Sequence, residues 1–184
     1  MESKRIKLVP LDSIHGEYIV KWRNDPDVSF NLFSNDTLTL DSQKRWFEVY
    51  KSSDSRKEFI IYILDDNRAI GTVGLTDIDV RNLKAELTII LGEKEYRGKG
   101  FGEEALRLIL DYAFKDLMLN KIVLKVFRYN ENALKLYNKS GFKLDGILRQ
   151  DIYKNNQFND VIEMSLLKEE WNKTLLIADQ NFSD

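Results

Sequence analysis

The apolar residues of this chain recur in two rhythms, and the changes between them mark out the elements. Alternating and β-branched runs predict strands over Arg5–Val9, Glu58–Leu64, Ala69–Ile78, Leu83–Leu91, Lys121–Phe127, Phe142–Asp151 and Phe158–Leu167. Asp65-Asp66-Asn67 reads as a hairpin turn, and a loop holding Lys154-Asn155-Asn156-Gln157 joins the last two strands. Helical spacing is clearest between Gly98 and Lys115. Ala105, Ile109, Ala113 and Leu117 form one row there, and Leu106, Leu110 and Phe114 the next. Such a stripe packs on a sheet. Three further helices are predicted. Leu11–Asn24 stops at Asn24-Asp25-Pro26, Leu40–Tyr50 is capped by Thr39 or Asp41, and Asn130–Ser140 is stopped by Gly141. Val28–Thr39 reads as irregular and carries Phe30 and Phe33. Beyond Glu169 the tail is expected to add a helical turn around Trp171 and then fray.

The order β-α-α-β-β-β-α-β-α-β-β predicts an α/β (α+β) fold, a central mixed sheet with helices on both faces. No repeat or linker-like stretch divides the 184 residues, so one domain is expected over 1–168, with 169–184 as a C-terminal tail.

Composition then narrows the chemistry. A net charge of −2 from 28 basic and 30 acidic residues argues against a nucleic-acid module. The absence of cysteine excludes disulfides, thiolate metal sites and cysteine nucleophiles. The one histidine, His15, leaves no His-rich metal site and no Ser-His-Asp triad, so no metal is expected. The aliphatic run Ile89-Ile90-Leu91 falls far short of the ~20 residues of a membrane span. The N-terminus does not read as a signal peptide. The expectation is a cytoplasmic protein that acts away from membranes.

The most informative stretch is Tyr96-Arg97-Gly98-Lys99-Gly100-Phe101-Gly102, between a strand and the long helix. Glycines at alternate positions let the backbone turn tightly and approach a ligand closely. Their N–H groups and the helix N-terminus make an anion site, to which Arg97 and Lys99 add charge. A phosphate is the natural guest; a tight turn without a ligand is the plainer reading. The nucleoside-triphosphate loop does not fit, because Gly92 lies one residue too far back and Gly100 replaces the metal-binding hydroxyl. The dinucleotide fingerprint fails at Glu103.

The stretch resembles the R/Q-x-x-G-x-G/A signature of GNAT-type N-acetyltransferases, with Arg97, Gly100 and Gly102 at the diagnostic places. Asn130-Glu131-Asn132-Ala133-Leu134-Lys135-Leu136-Tyr137, ending at Gly141-Phe142, is similar to the family's N-x-x-A-x-x-L-Y-x-x-x-G-F segment. Gly146–Arg149 and Asn159–Met164 are similar to the ribosomal-protein and polyamine branch. Trp22-Arg23-Asn24 with Asp25-Pro26 looks like the nucleotide-linked amino-sugar acetyltransferases. The resemblance implies two splayed parallel strands, with acetyl-CoA as co-substrate. The diphosphate would sit on the amides of Gly98, Lys99, Gly100, Phe101 and Gly102 beside Arg97. The pantetheine arm would pair with Ile90, Leu91 and Gly92. Asn130 and Asn132 would bind the cofactor; both are also good helix caps.

Tyr137 matches the family's general acid. A thiol near pKa 8.5 and a phenol near 10 make that proton transfer nearly balanced. Tyr137 as a core aromatic is the alternative. Glu86 matches an acidic position used to help deprotonate the amine; an ordinary solvent-facing or paired carboxylate is the other reading. The implied reaction is attack of an amine on the thioester through a tetrahedral intermediate. The expected acceptor is a small-molecule primary amine, either a polyamine or a nucleotide-linked amino sugar. The alternatives are a protein N-terminus or an acyl-CoA-binding module without turnover. A homodimer touching through the last two strands is also expected.

Overall fold

The computed structural model describes residues 1–34 and 36–180. Seven strands form one sheet: β1 (Ile6–Pro10), β2 (Lys57–Ile63), β3 (Ala69–Asp79), β4 (Lys84–Leu91), β5 (Lys121–Phe127), β6 (Lys143–Lys154) and β7 (Gln157–Leu167). Their spatial order is β1-β2-β3-β4-β5-β7-β6. Neighbours are antiparallel except β4 and β5, which run parallel. That parallel pair is short. It joins Lys84 to Lys121, Ala85 to Ile122 and Glu86 to Val123, while the strands run on to Leu91 and Phe127. Beyond Glu86 the two strands diverge, and a wedge opens in the middle of the sheet.

Helices cover both faces. The larger core lies under α4 (Phe101–Asp111), α5 (Glu131–Lys139) and α6 (Lys168–Gln180). Its heart is the predicted stripe of α4, where Ala105, Leu106, Ile109 and Leu110 are all fully buried against Val73, Leu87, Ile122 and Leu124. The second, smaller core holds Ile19 and Trp22 of α1 (Gly16–Asn24) and Phe47 of α3 (Leu40–Lys51) against Ile60 and Ala69.

Four elements differ from the sequence reading. The first helix is broken at its start: a single turn, Ser13–His15, precedes α1. Asp12 caps that turn, and the buried His15 accepts the Asp12 N–H on Nδ1 at 2.9 Å, so the lone histidine is a helix cap. A short α2 (Pro26–Ser29) stands inside the stretch read as irregular, because the Asp25 carboxylate accepts the N–H groups of Asp27 and Val28 at 2.8 and 3.3 Å. The hairpin strands run further than expected, to a two-residue turn at Asn155-Asn156 with φ of 53° and 59°. The tail is no single turn: α6 runs on to Gln180, docked by Trp171, whose indole N–H donates to Asp111 at 3.0 Å. The expected frayed end at 181–184 lies outside the described residues.

Candidate active site

Strand alternation decides which backbone groups line the wedge. The Gly92 N–H donates to the Ile70 carbonyl at 2.9 Å, so even-numbered residues of β4 bond to β3. The Leu83 carbonyl accepts the N–H groups of Asn120 and Lys121, so odd-numbered residues face β5. The last parallel pair, Glu86 with Val123, still engages the Leu87 N–H, so the open edge of β4 belongs to the Leu87 carbonyl, to Ile89 and to the Leu91 N–H. This register divides the residues expected to pair with the pantetheine arm. Ile90 and Gly92 are turned away into the β3 ladder, Leu91 faces the wedge, and Ile89 joins it unforeseen. The period-two rule could have found Ile89, had the register of β3 been known.

The glycine stretch sits at the mouth of this wedge. Gly98 and Gly100 adopt φ of 72° and 85°, conformations that residues with a β-carbon strain to reach. Gly100 is the N-cap of α4 and offers no side-chain cap. The backbone N–H groups of Gly98, Lys99, Gly100, Phe101, Gly102 and Glu103 find no acceptor among the described residues. Six consecutive free amides opening an 11-residue helix form a cradle for an anion larger than one phosphate.

Arg97 does not stand in that cradle as expected. Its guanidinium donates to the carbonyls of Leu91 at 2.9 Å and Gly92 at 3.0 Å, and Asp27 lies 3.7 Å away. Those unpaired strand-end carbonyls hold it at the top of β4 instead. A different arginine reaches the loop. Arg5, just before β1, donates to the Lys99 carbonyl at 3.0 Å, lies 4.3 Å over the Phe101 ring and pairs with Glu104. Nothing in the glycine motif announces it, because 94 residues separate Arg5 from Lys99.

Asn130 and Asn132 part company. Asn130 caps α5, its side-chain oxygen accepting the Ala133 N–H at 3.2 Å. Asn132 is solvent-exposed two residues further on, in the first turn of α5. Tyr137 is the buried residue of α5, beside Phe142 in the main core, while Leu136 lies next to Gly102 at the start of α4. Among the described residues the Tyr137 hydroxyl has no hydrogen-bond partner, yet it is not a sealed orphan. Burial pushes the phenol up to about 12. That corrects the expected balance of proton transfer: the phenol is firmly protonated and a weaker donor than free tyrosine.

Glu86 lies on the opposite face of the sheet, half-buried, with its carboxyl raised above the ordinary range. Desolvation is the main cause. Lys125 opposes it, Asp77 and Glu163 add to it, and Arg56 opposes it again. Glu58, overlooked in the sequence, shares this face two strands away, and burial raises it too. Its side chain lies over Gly74 of β3, where a β-carbon would come within 2.9 Å, and Arg56 stands 3.4 Å from its carboxylate. A glutamate among the apolar residues of β2 was the available signal. No cluster among the described residues could hold a metal.

A wedge edged by free strand amides, with an anion cradle at its mouth, fits a long thioester carrying a diphosphate. This fold and site are those of an acyl-CoA-dependent transferase. A family model described as acetyltransferase (GNAT) domain matches residues 5–143. The chain belongs to the GNAT acetyltransferase family and uses acetyl-CoA as its acyl donor. It is 28% identical to a spermidine N(1)-acetyltransferase of Escherichia coli strain K12 over 166 residues, 90% of this chain and 88% of that protein. A putative ribosomal N-acetyltransferase of Bacillus subtilis is 34% identical over 141 residues, 77% of this chain and 75% of that one. Among solved structures, the spermidine N-acetyltransferase of Vibrio cholerae in complex with CoA and spermine superposes with a TM-score of 0.87. Its sequence is 26% identical, and the match covers 92% of this chain and 99% of the other.

Proposed function

We propose that this acetyltransferase acetylates a primary amine of a polyamine. The observation that carries the reading is the set of carboxylates on the sheet face away from α4, Glu58, Glu86 and Glu163 on three strands with Asp77 nearby, which outnumber the cations Arg56 and Lys125 beside them. A polyamine is a chain of ammonium groups, and a surplus of carboxylates attracts it. Similarity to spermidine acetyltransferases along nearly the whole chain supports the same class.

The reacting amine must shed a proton first, which costs roughly 4 kcal/mol at neutral pH for an alkyl amine. Glu86, raised by burial, is the proposed group that takes this proton, directly or through water. The amine then attacks the thioester carbonyl, and an amide on the open edge of β4, at Ile89 or Leu91, steadies the oxyanion. Tyr137 returns a proton to the departing sulfur. The six free amides from Gly98 to Glu103 hold the diphosphate, with Arg5 supplying the adjacent positive charge.

We place the reaction in the cytoplasm, where acetyl-CoA is at hand. We also infer pairing of two copies through β6 and β7, whose exposed Leu144, Ile147, Tyr153 and Phe158 such a contact would cover. Thiol release measured with spermidine, spermine, a nucleotide-linked amino sugar and a ribosomal-protein N-terminal peptide tests the acceptor. Turnover is expected with the polyamines. Turnover confined to the peptide or the sugar would overturn the reading.

A further inference from the structure

The segment Pro26–Ser34 crosses the open end of the wedge. At the β4 side Asp27 pairs with Lys94 at 2.8 Å and approaches Arg97, the residue that grips the last carbonyls of β4. At the β5 side Tyr129 donates its hydroxyl to the Phe30 carbonyl at 2.8 Å. The Phe30 ring packs on Tyr129 at 5.0 Å, and Phe33 meets Phe127 edge-on at 4.8 Å. The segment is a strap fastened at both diverging strands.

A third fastening enters from the far edge of the sheet. Lys154, at the tip of β6, is only 4% exposed. Its ammonium donates to the carbonyls of Ser29 at 2.7 Å, Ser34 at 3.3 Å, and Leu32. The Phe127 ring lies 5.9 Å from it, and no carboxylate pairs with it among the described residues. Three N–H donors thus meet three carbonyls of one segment. The lysine is presented rigidly, because the buried Asn159 donates to the carbonyls of Lys154 and Gln157 at 3.2 and 3.0 Å and locks the hairpin turn. Burying an ammonium with no counter-charge is unfavourable, and desolvation pulls its pKa down. An apolar side chain would fill the same space without that penalty. A charge there makes physical sense if the three carbonyls must be gathered into one arrangement.

We propose that Lys154 is a positioning residue for the acceptor: its ammonium gathers the Ser29, Leu32 and Ser34 carbonyls and holds Pro26–Ser34 as a wall of the amine site. The inference rests on reading the face away from α4 as the acceptor side. It acts through the strap and leaves the CoA cradle untouched.

The chain has no cysteine, so Lys154→Cys carries a single thiol that can be alkylated selectively while unfolded. 2-Bromoethylamine rebuilds an ammonium at nearly the same reach, and 1-iodopropane builds its uncharged counterpart. With the propyl adduct, amide hydrogen exchange over 26–34 is expected to quicken about tenfold or more, and KM for spermidine to rise comparably. KM for acetyl-CoA should stay within about twofold, since its amides lie elsewhere. The aminoethyl adduct should return both quantities toward the natural enzyme. Equal behaviour of the two adducts, or faster exchange with no change in amine KM, would overturn the proposal. Should the adducts not refold, Lys154→Met against the natural enzyme gives the same comparison. If the natural enzyme acetylates no polyamine, the acceptor reading falls; the exchange data, and KM for whichever amine reacts, still decide the role of Lys154.

Discussion

Trp22 lies against the backbone of Gly92 so closely that a β-carbon at 92 would stand 2.1 Å from the indole Cγ. The indole is 1% exposed and donates to Glu93 at 2.8 Å. This contact seats α1 on the top of β4, beside the mouth of the wedge. The absence of a β-carbon at Gly92 thus lets the helix seat at this distance.

Gly92→Ala must push Trp22 out of its seat. The substitution is expected to destabilise the protein by about 3 kcal/mol, as a severe case of overpacking. Urea unfolding reads this directly. An unchanged midpoint would mean that α1 can shift freely over β4.

Tyr137 makes a prediction at alkaline pH. Its folded pKa of about 12 lies above the ordinary value of 10.0. The unfolded chain therefore releases this proton first as pH rises. The stabilisation is complete below pH 10 and is lost between there and about 12, a change of roughly 3 kcal/mol for a two-unit shift. Tyr50, Tyr62, Tyr112 and Tyr129 are raised as well, so the difference between the natural enzyme and Tyr137→Phe isolates the residue. The gap in urea midpoints should move steadily in the variant's favour across that window. In the same variant turnover should fall about a hundredfold if the phenol is the proton donor.

Glu86 should leave its mark on the pH–rate profile. Burial raises its carboxyl, so kcat/KM is expected to fall on the acid side at a midpoint above the usual carboxylate range. Glu86→Gln should remove that limb and lower kcat/KM about a hundredfold at neutral pH. A profile of unchanged shape would assign the base to another group, Glu58 being the next candidate.

Trp171 tests where the domain ends. It is 4% exposed in the main core and bonded to Asp111 of α4. Trp171→Ala is expected to cost about 3–5 kcal/mol, the range for removing a buried aromatic. A boundary at residue 168 without energetic consequence would leave the unfolding midpoint unmoved.

The strands, the long helix and the glycine loop were legible because each rests on local periodicity or local backbone demands. Both ends of β4 and the stripe of α4 fall within a residue or a few of their expected places for that reason. What stayed hidden depends on contacts far apart in sequence. Arg5 reaches the loop from the other end of the chain, Arg97 is diverted to Leu91 and Gly92 by the wedge itself, and Lys154 finds its carbonyls 120 or more residues away. Helix α6 was expected as a single turn, and its full length stayed hidden because its docking rests on one tryptophan meeting one aspartate across the fold. The distinction between Ile89 and Ile90 needed the register with β3, which no single strand encodes.

Calorimetric titration with CoA reaches the centre of the account. The free amides of Gly98 to Glu103 depend on the left-handed turn at Gly100, whose φ of 85° strains any residue with a β-carbon. CoA should bind the natural enzyme, and Gly100→Val should weaken it at least about tenfold with folding intact. Absence of heat with the natural enzyme, or equal affinity in the folded variant, would contradict the assignment of this helix opening as the grip on acetyl-CoA.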